Sequence, residues 1–333
     1  MSTIKDLAAR TGISKSTISR VINNEPNVSE KTREIVMNAI RELNYTPNIM
    51  ARGMVTGKLP MVLIIVGDIQ NHYFNNTIVG IEKRLSSSAY LPVIYNSMYD
   101  EKKEKRLMEM AGQFRFSGII PMTGIGAEEL AECIENADCP VVLINKRPRK
   151  TRFDCVIGEE QEAGYLATAE LIKNGHTRIA HISYDSKHSR ISRERENGYR
   201  EALEEHGIPV DESLIIQGKL DMDTGYQLAP KILEKLKVRA ICCNNYLTAA
   251  GVIRYGEEIG LHPRVDYEIA CCETVPEVYS KDIIYAGADL EVIGERAAEL
   301  LLQRMNGSHE PPQRISFSAT KVYNPGKAQA VQK

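Results

Sequence analysis

The sequence predicts an α/β protein that begins with a small helical domain and continues as two larger lobes built on parallel sheets. Three observations lead to this fold class. The first 45 residues contain three amphipathic helical patterns. From Met61 onward, short apolar runs rich in β-branched residues alternate with helical patterns, which is typical of parallel sheets flanked by helices. At 333 residues the chain is also too long for one ordinary domain.

The first two helices are predicted over residues 4–10 and 16–23, on either side of a turn at Gly12. The turn needs a positive φ, which glycine adopts at little cost. Thr3, with an acid three residues later, fits a capping box on the first helix, and Ser14 fits the N-cap of the second. The apolar residues of both segments converge on one core and predict a helix-turn-helix: Ile4, Leu7, Ala8, Ile13, Ile18, Val21 and Ile22.

A third helix is predicted to begin after Ser29, a natural N-cap, and to end near Tyr45, because Pro47 cannot continue it. Its apolar residues recur at helical spacing and face the first two helices: Val36, Ala39, Ile40 and Leu43. The segment 47–58 is too short and too polar to fold alone, so we expect it to form a helical turn or two only when DNA and the same segment of a second chain are present.

The remainder of the chain alternates strands and helices. Strands are predicted over residues 61–66, 92–96, 118–122, 140–145, 178–183, 213–217, 239–243 and 268–272. Helices are predicted over residues 76–88, 101–114, 127–136, 161–174, 194–206, 223–236, 246–260 and 289–306. Neither a GxGxxG sequence nor a P-loop follows any of these strands, which argues against a dinucleotide enzyme.

Charge is distributed unevenly along the chain. Residues 1–58 hold nine Lys and Arg against five acids, a net +4, and residues 59–333 hold 33 against 39, a net −6. A basic N-terminal region on an acidic body is the distribution expected when the N-terminal region binds nucleic acid.

Several protein classes are disfavoured by composition. The N-terminus lacks the apolar region of an export signal, and no apolar run reaches about 18 residues, so we expect a cytoplasmic protein without membrane contact. The seven cysteines show no CxxC spacing and are expected to be reduced thiols. No nucleophile with a positioned base, no metal-ligand cluster and no cofactor loop stands out, so we expect no enzyme, metal or cofactor. His176 and His181 are expected to be structural.

Four ordered N-terminal segments resemble the headpiece and hinge of the lactose and galactose repressor (LacI/GalR) family: TIKDLAARTGISKSTISRVINN, VSEKTRE, LNYTPNIMAR and TGK. The body is similar to the same family in DIQNHYF, ELIKNGHTRIAHIS and RENGYREALEEHGIP. The resemblance implies two periplasmic-binding-protein-like lobes with an effector in the cleft between them. It implies a sequence-specific transcription regulator, with repression as the preferred mode.

The resemblance also sets the expected domain boundaries. The helix-turn-helix domain would occupy residues 1–46 and the hinge residues 47–58. The N-terminal effector lobe would comprise residues 59–158 and about 288–317, and the C-terminal lobe residues 159–287 and about 318–333. The chain would then cross between the lobes near residues 158–161, 286–289 and 317–321.

In a helix-turn-helix, the N-terminal residues of the second helix meet base edges in the major groove, which places Lys15, Ser16 and Arg20 toward DNA. Arg20 is expected to contact a guanine, and the resemblance makes Lys15 and Ser16 the specificity pair. Five residues would mainly position phosphates: Thr17, Ser19, Asn23, Ser29 and Thr32. Asn27 would add a base or phosphate contact.

In the hinge, Ala51 and Met54 are expected to touch the minor groove, with Met54 as the apolar wedge between base pairs. A single headpiece buries too little DNA for strong specificity, so we expect a homodimer on a pseudo-palindromic double-stranded operator.

For the effector cleft, the resemblance points to the aromatic segment Asn71, Tyr73 and Phe74, to Arg195, and to Asn244 at a strand end. An aromatic pair suits a sugar ring or a base, and a forked cation suits hydroxyl pairs or a carboxylate. Three further residues are expected to contact the effector. Asn145 and Cys272 stand where the family has acidic residues, and Lys146 lies in a basic segment that is expected to line the cleft.

These departures from the family predict an effector rich in negative charge, because carboxylates that would accept sugar hydroxyls are replaced. Asn145 stands where neutral-sugar binders have aspartate, and Ala270-Cys271-Cys272-Glu273 replaces another acidic run. Five basic residues lie near these segments in sequence: Lys146, Arg147, Arg190, Arg193 and Arg195. We therefore expect a regulator of carbohydrate metabolism whose effector is a sugar or an anionic sugar derivative, such as a uronate or a phosphorylated sugar.

Three alternatives remain at this point. A regulator of the same fold could respond to a protein corepressor instead of a small molecule. A transport-type binding protein is disfavoured by the complete headpiece. The pairs Cys242-Cys243 and Cys271-Cys272 end two strands that could be neighbours, which raises a thiol-based sensor against simple core packing. Successive strand residues point to opposite faces, so at most one cysteine of each pair could face the cleft.

Overall fold

The structure, a computed structural model, describes residues 3–22, 26–45, 57–135, 137–149, 152–184, 189–274 and 281–324. Its contacts divide the chain into two compact units, the headpiece (Met1–Pro60) and the body (Met61–Lys333). Among the described residues, three helices build the headpiece and largely parallel sheets build the body, which confirms the predicted fold class.

The headpiece contains α1 (Ile4–Thr11), α2 (Lys15–Ile22) and α3 (Glu30–Glu42). Thr3 and Asp6 form the predicted capping box, and Gly12 ends α1 with φ 70°. The Ser14 and Ser29 side chains accept hydrogen bonds from the first turns of α2 and α3. The core consists of five buried apolar residues, all of them in the predicted set: Leu7, Ile18, Val21, Val36 and Ala39.

Six strands build the N-lobe of the body: β1 (Leu59–Val66), β2 (Leu91–Asn96), β3 (Phe116–Met122), β4 (Val142–Ile144), β5 (Asp154–Gly158) and β11 (Arg314–Phe317). They form two three-stranded sheets, in the orders β2-β1-β3 and β11-β5-β4, joined where Ile119 bridges Val141. The N-lobe helices are α4 (His72–Leu85), α5 (Glu101–Gln113), α6 (Ala127–Cys133) and α11 (Leu290–Met305). Alternate residues of β1 enter two different core clusters, which explains its unbroken apolar run.

The C-lobe contains one six-stranded sheet: β6 (Ile179–Tyr184), β7 (Ile215–Gly218), β8 (Ala240–Cys243), β9 (Glu268–Cys271), β10 (Ile284–Gly287) and β12 (Lys321–Tyr323). Its strand order is β12-β10-β9-β8-β6-β7, and only the β10–β12 pair is antiparallel. The C-lobe helices are α7 (Glu160–Lys173), α8 (Arg190–Glu205), α9 (Met222–Ala229) and α10 (Tyr246–Glu258).

The chain passes between the lobes at three places, from β5 to α7, from β10 to α11 and from β11 to β12. At the first of these, α7 packs closely on α8 through a pair of glycines. A β-carbon at Gly164 would lie 2.2 Å from the Arg195 carbonyl oxygen, and one at Gly198 would lie 2.0 Å from the Gln161 carbonyl oxygen. This close crossing fixes the position of the α8 backbone at Arg195.

All eight predicted strands and all eight predicted helices of the body are present, with bounds shifted by a few residues. Four short strands were not predicted: β5, β10, β11 and β12. The helix predicted over 223–236 is divided, because the α-helix ends at Ala229 and a π-helix runs over Pro230–Lys235. Pro230 lacks the N–H that a continuing α-helix would use, which accounts for the change.

His181, in the middle of β6, is structural as expected and sets a pH dependence. Its side chain is fully buried, Nδ1–H donates to the Cys242 carbonyl oxygen at 3.1 Å, and the ring stacks on Tyr199. Desolvation lowers the pKa of His181 to about 4. The folded state therefore holds the neutral ring at pH values where the unfolded chain binds a proton.

We expect this histidine to contribute stability that is complete above about pH 6.5 and is lost as the pH falls toward 4, by about 3 kcal/mol in free energy of unfolding. Urea unfolding of the wild type and of His181→Phe at several pH values isolates the contribution, since other groups titrate in both proteins. Parallel pH profiles for the two proteins would contradict the prediction.

Candidate functional site

The headpiece presents the first turn of α2 to solvent. Lys15 and Ser16 are exposed there, and Arg20 is exposed one turn later, while Ile18 and Val21 are buried beneath. The Ser14 hydroxyl accepts from the Thr17 backbone N–H at 3.2 Å, which caps the helix, and it lies 2.9 Å from the Ser16 hydroxyl. The three residues predicted to read bases therefore share an accessible surface.

The residues predicted to position phosphates differ in their solvent exposure and in their hydrogen bonds. Thr17 and Ser19 are half-buried, and the Thr17 hydroxyl lies 2.9 Å from that of Ser14. Ser29 caps α3, and its hydroxyl lies 2.8 Å from that of Thr32. Asn27, at the bend before α3, is exposed. The remaining predicted DNA contacts lie outside the described residues: Asn23, Ala51 and Met54.

The body contains a partly open pocket where its two lobes meet, at the carboxyl ends of several strands. Apolar residues line its N-lobe side, among them Leu290 and Ile293 of α11. Its C-lobe side carries Arg195 of α8 and the Cys272-Glu273 pair that follows β9. The pocket therefore has apolar surface on one side and charge on the other.

Arg195 is the centre of a buried ionic cluster. Its Nε donates to Glu160 Oε2 at 2.7 Å, Nη1 donates to the Asn244 carbonyl oxygen at 2.5 Å, and Nη1 lies 3.8 Å from Glu273 Oε2. Burial opposes the arginine charge, but the carboxylates of Glu160 and Glu273 raise the pKa of Arg195 above its ordinary value. Burial likewise raises the pKa of Glu273, against the attraction of Arg195. The guanidinium is thus fixed as a charged, oriented donor.

Asn145 connects this cluster to the N-lobe. Its amide donates to Glu160 Oε1 at 3.2 Å and to the Tyr73 hydroxyl at 2.7 Å, while its Oδ1 accepts from the Gly158 backbone N–H at 2.7 Å. Asn71 begins α4 as its N-cap. The structure therefore places Asn145, Tyr73 and Arg195, three of the residues predicted to contact the effector, in one hydrogen-bonded network.

Phe74 and Lys146, also predicted to contact the effector, have other contacts, whereas Asn244 adjoins Arg195 through its carbonyl oxygen. Phe74 is a core residue, packed edge-on against Tyr73 at 5.1 Å between ring centres. Lys146 donates to the Ile125 carbonyl oxygen and does not line the pocket. Burial lowers the pKa of Lys146 to about 8. Asn244 is buried, and its amide donates to the Ser192 hydroxyl at 2.8 Å.

The expectation that the cleft has lost its carboxylates was wrong. Glu160 and Glu273 both line the pocket and face Arg195. Arg147 pairs with Glu159 and Arg190 with Glu194, so two more of the basic residues have acidic partners. The signal for Glu160 was available in the sequence, because the first residue of a helix after a strand points toward the carboxyl edge of the sheet.

Tyr99 is a residue that the sequence analysis missed. It follows β2, and Met98 and Tyr99 both have φ 56°, a left-handed conformation that costs a non-glycine residue about 1–2 kcal/mol. The Tyr99 N–H donates to the Gly67 carbonyl oxygen at 3.1 Å and to Ser97 Oγ at 3.2 Å. Burial raises the pKa of Tyr99 to about 12, although its hydroxyl shares a hydrogen bond with the Asn71 side chain.

The four paired cysteines divide between two faces of the C-lobe sheet. Cys242 and Cys272 lie on one face with their sulfurs 3.7 Å apart, and Cys243 and Cys271 pack in the core on the other. All four are free thiols, and only Cys272 of them lines the pocket. This agrees with the geometric limit of one cysteine of each pair.

Within the described residues, no cluster of three or more His, Cys, Asp and Glu side chains is arranged to hold a metal ion. Among the helices that the structure describes, none is long and apolar enough to cross a membrane.

Two family models match the chain. The model for bacterial regulatory proteins of the lacI family matches residues 3–48. The model for periplasmic binding proteins and the sugar-binding domain of the LacI family matches residues 60–326. Together these matches cover the headpiece and almost all of the body.

Relatives of known description agree. The transcriptional regulator DegA of Bacillus subtilis is 33% identical over 270 residues, which is 80% of each chain. The transcriptional repressor PurR of Vibrio atlanticus is 31% identical over 335 residues, covering 97% of this chain and 100% of PurR. Both are regulators rather than enzymes.

Solved structures show the same fold. A complex of the transcriptional regulator CelR with cellobiose superposes with a TM-score of 0.69 at 26% identity, covering 96% of this chain and 97% of CelR. A lac repressor dimer bound to operator superposes with a TM-score of 0.82 at 22% identity, covering 97% and 99%. The chain therefore belongs to the LacI family of transcription regulators, in which a DNA-binding headpiece is controlled by an effector-binding body.

Proposed function

We propose that this regulator binds a pseudo-palindromic operator as a homodimer and represses transcription under the control of a neutral sugar held at the Arg195 cluster. Lys15, Ser16 and Arg20 of each α2 read one half-site in the major groove. The protein acts in the cytoplasm, where bacterial DNA is. The accessible first turn of α2 supports the DNA contacts, and the buried Arg195 cluster carries the effector assignment.

The chemistry of the cluster favours hydroxyl groups over an anion. An anionic substituent near Arg195 would also face the carboxylates of Glu160 and Glu273, both almost fully buried. A sugar hydroxyl both donates and accepts, so it can bridge a carboxylate and the guanidinium. Asn244 Oδ1 is buried and has no hydrogen-bond partner among the described residues, so it offers a further acceptor. The neutral sugar therefore replaces the anionic derivative as the preferred effector.

The effector would control DNA binding by changing the arrangement of the two lobes. Glu160 begins α7, directly after one of the three crossings, and it contacts Asn145 of the N-lobe and Arg195 of the C-lobe. A ligand that engages this cluster interacts with both lobes, so it favours one lobe arrangement by its differential affinity. That arrangement would alter the spacing of the two hinges, residues 47–58, in the dimer.

The test begins with selection of operator sites from random double-stranded DNA, using the full-length protein. We expect an enriched pseudo-palindrome that binds two chains per site with a dissociation constant of about 10⁻⁸ M or lower. Fluorescence anisotropy on that site then measures the effect of D-glucose, D-ribose, cellobiose, glucose 6-phosphate and glucuronate. A neutral sugar should change the operator affinity at least tenfold, which corresponds to about 1.4 kcal/mol of coupling.

Three other results would contradict parts of this proposal. A response confined to glucose 6-phosphate or glucuronate would overturn the neutral-sugar assignment and restore the anionic one. Operator binding that no sugar alters, but that a cell extract alters in a protease-sensitive manner, would favour a protein corepressor. Failure to enrich a two-fold site would contradict the dimeric reading of DNA.

A further inference from the structure

Tyr99 lies across the carboxyl ends of two N-lobe strands. A β-carbon at Gly67, after β1, would lie 2.3 Å from Tyr99 Cε1, and one at Gly124, after β3, would lie 3.6 Å from Tyr99 Cδ1. The absence of a side chain at Gly67 thus leaves the space that the ring occupies, and the ring lies at ordinary van der Waals distance from the Gly124 position. In α/β sheets, ligands bind outside this edge, so the ring stands at the N-lobe boundary of the cleft.

The backbone under Tyr99 is held from several directions. Ser97 Oγ lies 2.6 Å from Glu104 Oε1 and 3.0 Å from the Val66 carbonyl oxygen. The same Glu104 oxygen accepts from the Gly124 N–H at 3.3 Å, so one buried carboxylate links the turns after β2 and β3. Two consecutive left-handed residues persist only where the surroundings fix them, and such strain is concentrated at ligand clamps and active sites.

The ring of Tyr99 is held in one position and is also partly exposed to solvent. The residue is 48% exposed, although its hydroxyl is tied to Asn71 and its edge packs near Phe74 at 6.2 Å between ring centres. From the C-lobe, Glu273 and Tyr184 are close enough to affect its titration. Tyr99 is therefore within electrostatic range of Glu273, one of the two carboxylates that face Arg195.

We propose that Tyr99 is a specificity-determining residue of the effector site, on which the apolar C–H face of a pyranose ring stacks. The inference rests on the proposed sugar effector and assigns the two sides of the cleft different tasks. The Arg195 cluster binds the hydroxyl groups of the sugar, and Tyr99 packs against the apolar C–H face of the sugar ring. An aromatic side chain immobilised by its hydroxyl pays little conformational entropy on binding, which suits it to this task.

The chain contains no tryptophan, so Tyr99→Trp creates a single fluorescent reporter at the proposed contact. Phe114→Trp is the matched control. Phe114 is 49% exposed and lies two residues before β3, at the end of the N-lobe sheet opposite to the cleft. With D-glucose and cellobiose as probes, we expect a saturable change in Tyr99→Trp emission and no change in Phe114→Trp.

Isothermal titration of the same sugars into wild type, Tyr99→Phe and Tyr99→Ala measures the energetic role. Tyr99→Phe should bind within about threefold of wild type, and Tyr99→Ala should bind about tenfold more weakly, as expected for loss of an aromatic stacking surface. Phe114→Ala should bind as wild type does. Circular dichroism and thermal unfolding establish that each variant is folded.

Wild-type affinity in Tyr99→Ala, or an unchanged emission of Tyr99→Trp while calorimetry detects binding, would overturn the stacking role alone. An equal loss in Tyr99→Phe and Tyr99→Ala would assign the effect to the hydroxyl and would also overturn it. If the wild type binds no neutral sugar, the proposed effector fails, and the stacking role fails with it.

Discussion

Arg20→Ala is expected to weaken operator binding by about 2–6 kcal/mol for the dimer, since a bidentate arginine–guanine contact is worth about 1–3 kcal/mol and two half-sites lose it. This is a loss of roughly 30-fold to 10⁴-fold in affinity. Arg20 is exposed on α2, while the adjacent Val21 is buried, so removal of the arginine leaves the headpiece core intact. Fluorescence anisotropy on the selected operator measures the change.

Arg41→Ala is the matched control. Arg41 is also exposed, but it lies at the end of α3, where its guanidinium donates to Asn38 Oδ1. We expect its affinity for the operator to stay within about threefold of wild type, as for a removed phosphate contact at most. An equal loss on operator and random DNA for Arg20→Ala would show that Arg20 contacts phosphate rather than base.

Arg195→Ala is expected to lower the free energy of unfolding by about 3–5 kcal/mol near pH 7. The change leaves Glu160 and Glu273 as buried carboxylates without their cation, and their side chains are only 7% and 6% exposed. At lower pH the deficit should shrink, because protonation removes the uncompensated negative charge. Urea unfolding at pH 7 and pH 5 measures both parts of the prediction.

Two variants separate this effect from general damage to α8. Arg200→Ala removes a more exposed arginine of the same helix, paired with Glu196 and Glu212, and should cost about 1 kcal/mol or less. Combining Arg195→Met with Glu160→Gln should recover part of the stability, because one of the buried charges is removed with its partner. A cost for Arg195→Ala no greater than that of Arg200→Ala would refute the cluster's structural role.

The headpiece was predictable in detail because its decisive interactions are local. The Thr3–Asp6 box, the Gly12 turn and the Ser29 cap each involve residues within three positions of one another. Helical spacing of apolar residues then identifies the buried face, since the 3.6-residue period places those residues together. Apolar runs rich in β-branched residues likewise indicated eight strands of the body.

The effector cleft was predicted only in part, for a physical reason. The family resemblance indicated Asn145 and Arg195, but the charge prediction treated sequence neighbours as spatial neighbours. Glu273, 78 positions from Arg195, approaches its guanidinium because β9 ends, and α8 begins, at the same edge of the sheet. The short strand β5 pairs with β11, about 160 residues away, so neither strand carries a strong signal of its own.

The sequence by itself determined the fold class, the headpiece and the family, because these depend on capping, on periodicity and on ordered motifs, which are properties of short segments. Only the tertiary structure decided that Arg195 is neutralised by Glu160 and Glu273, that Lys146 turns away toward Ile125, and that Tyr99 crosses the strand ends at Gly67. Each of these depends on contacts between segments distant in the chain, and the balance of charge in a cleft is set by such contacts.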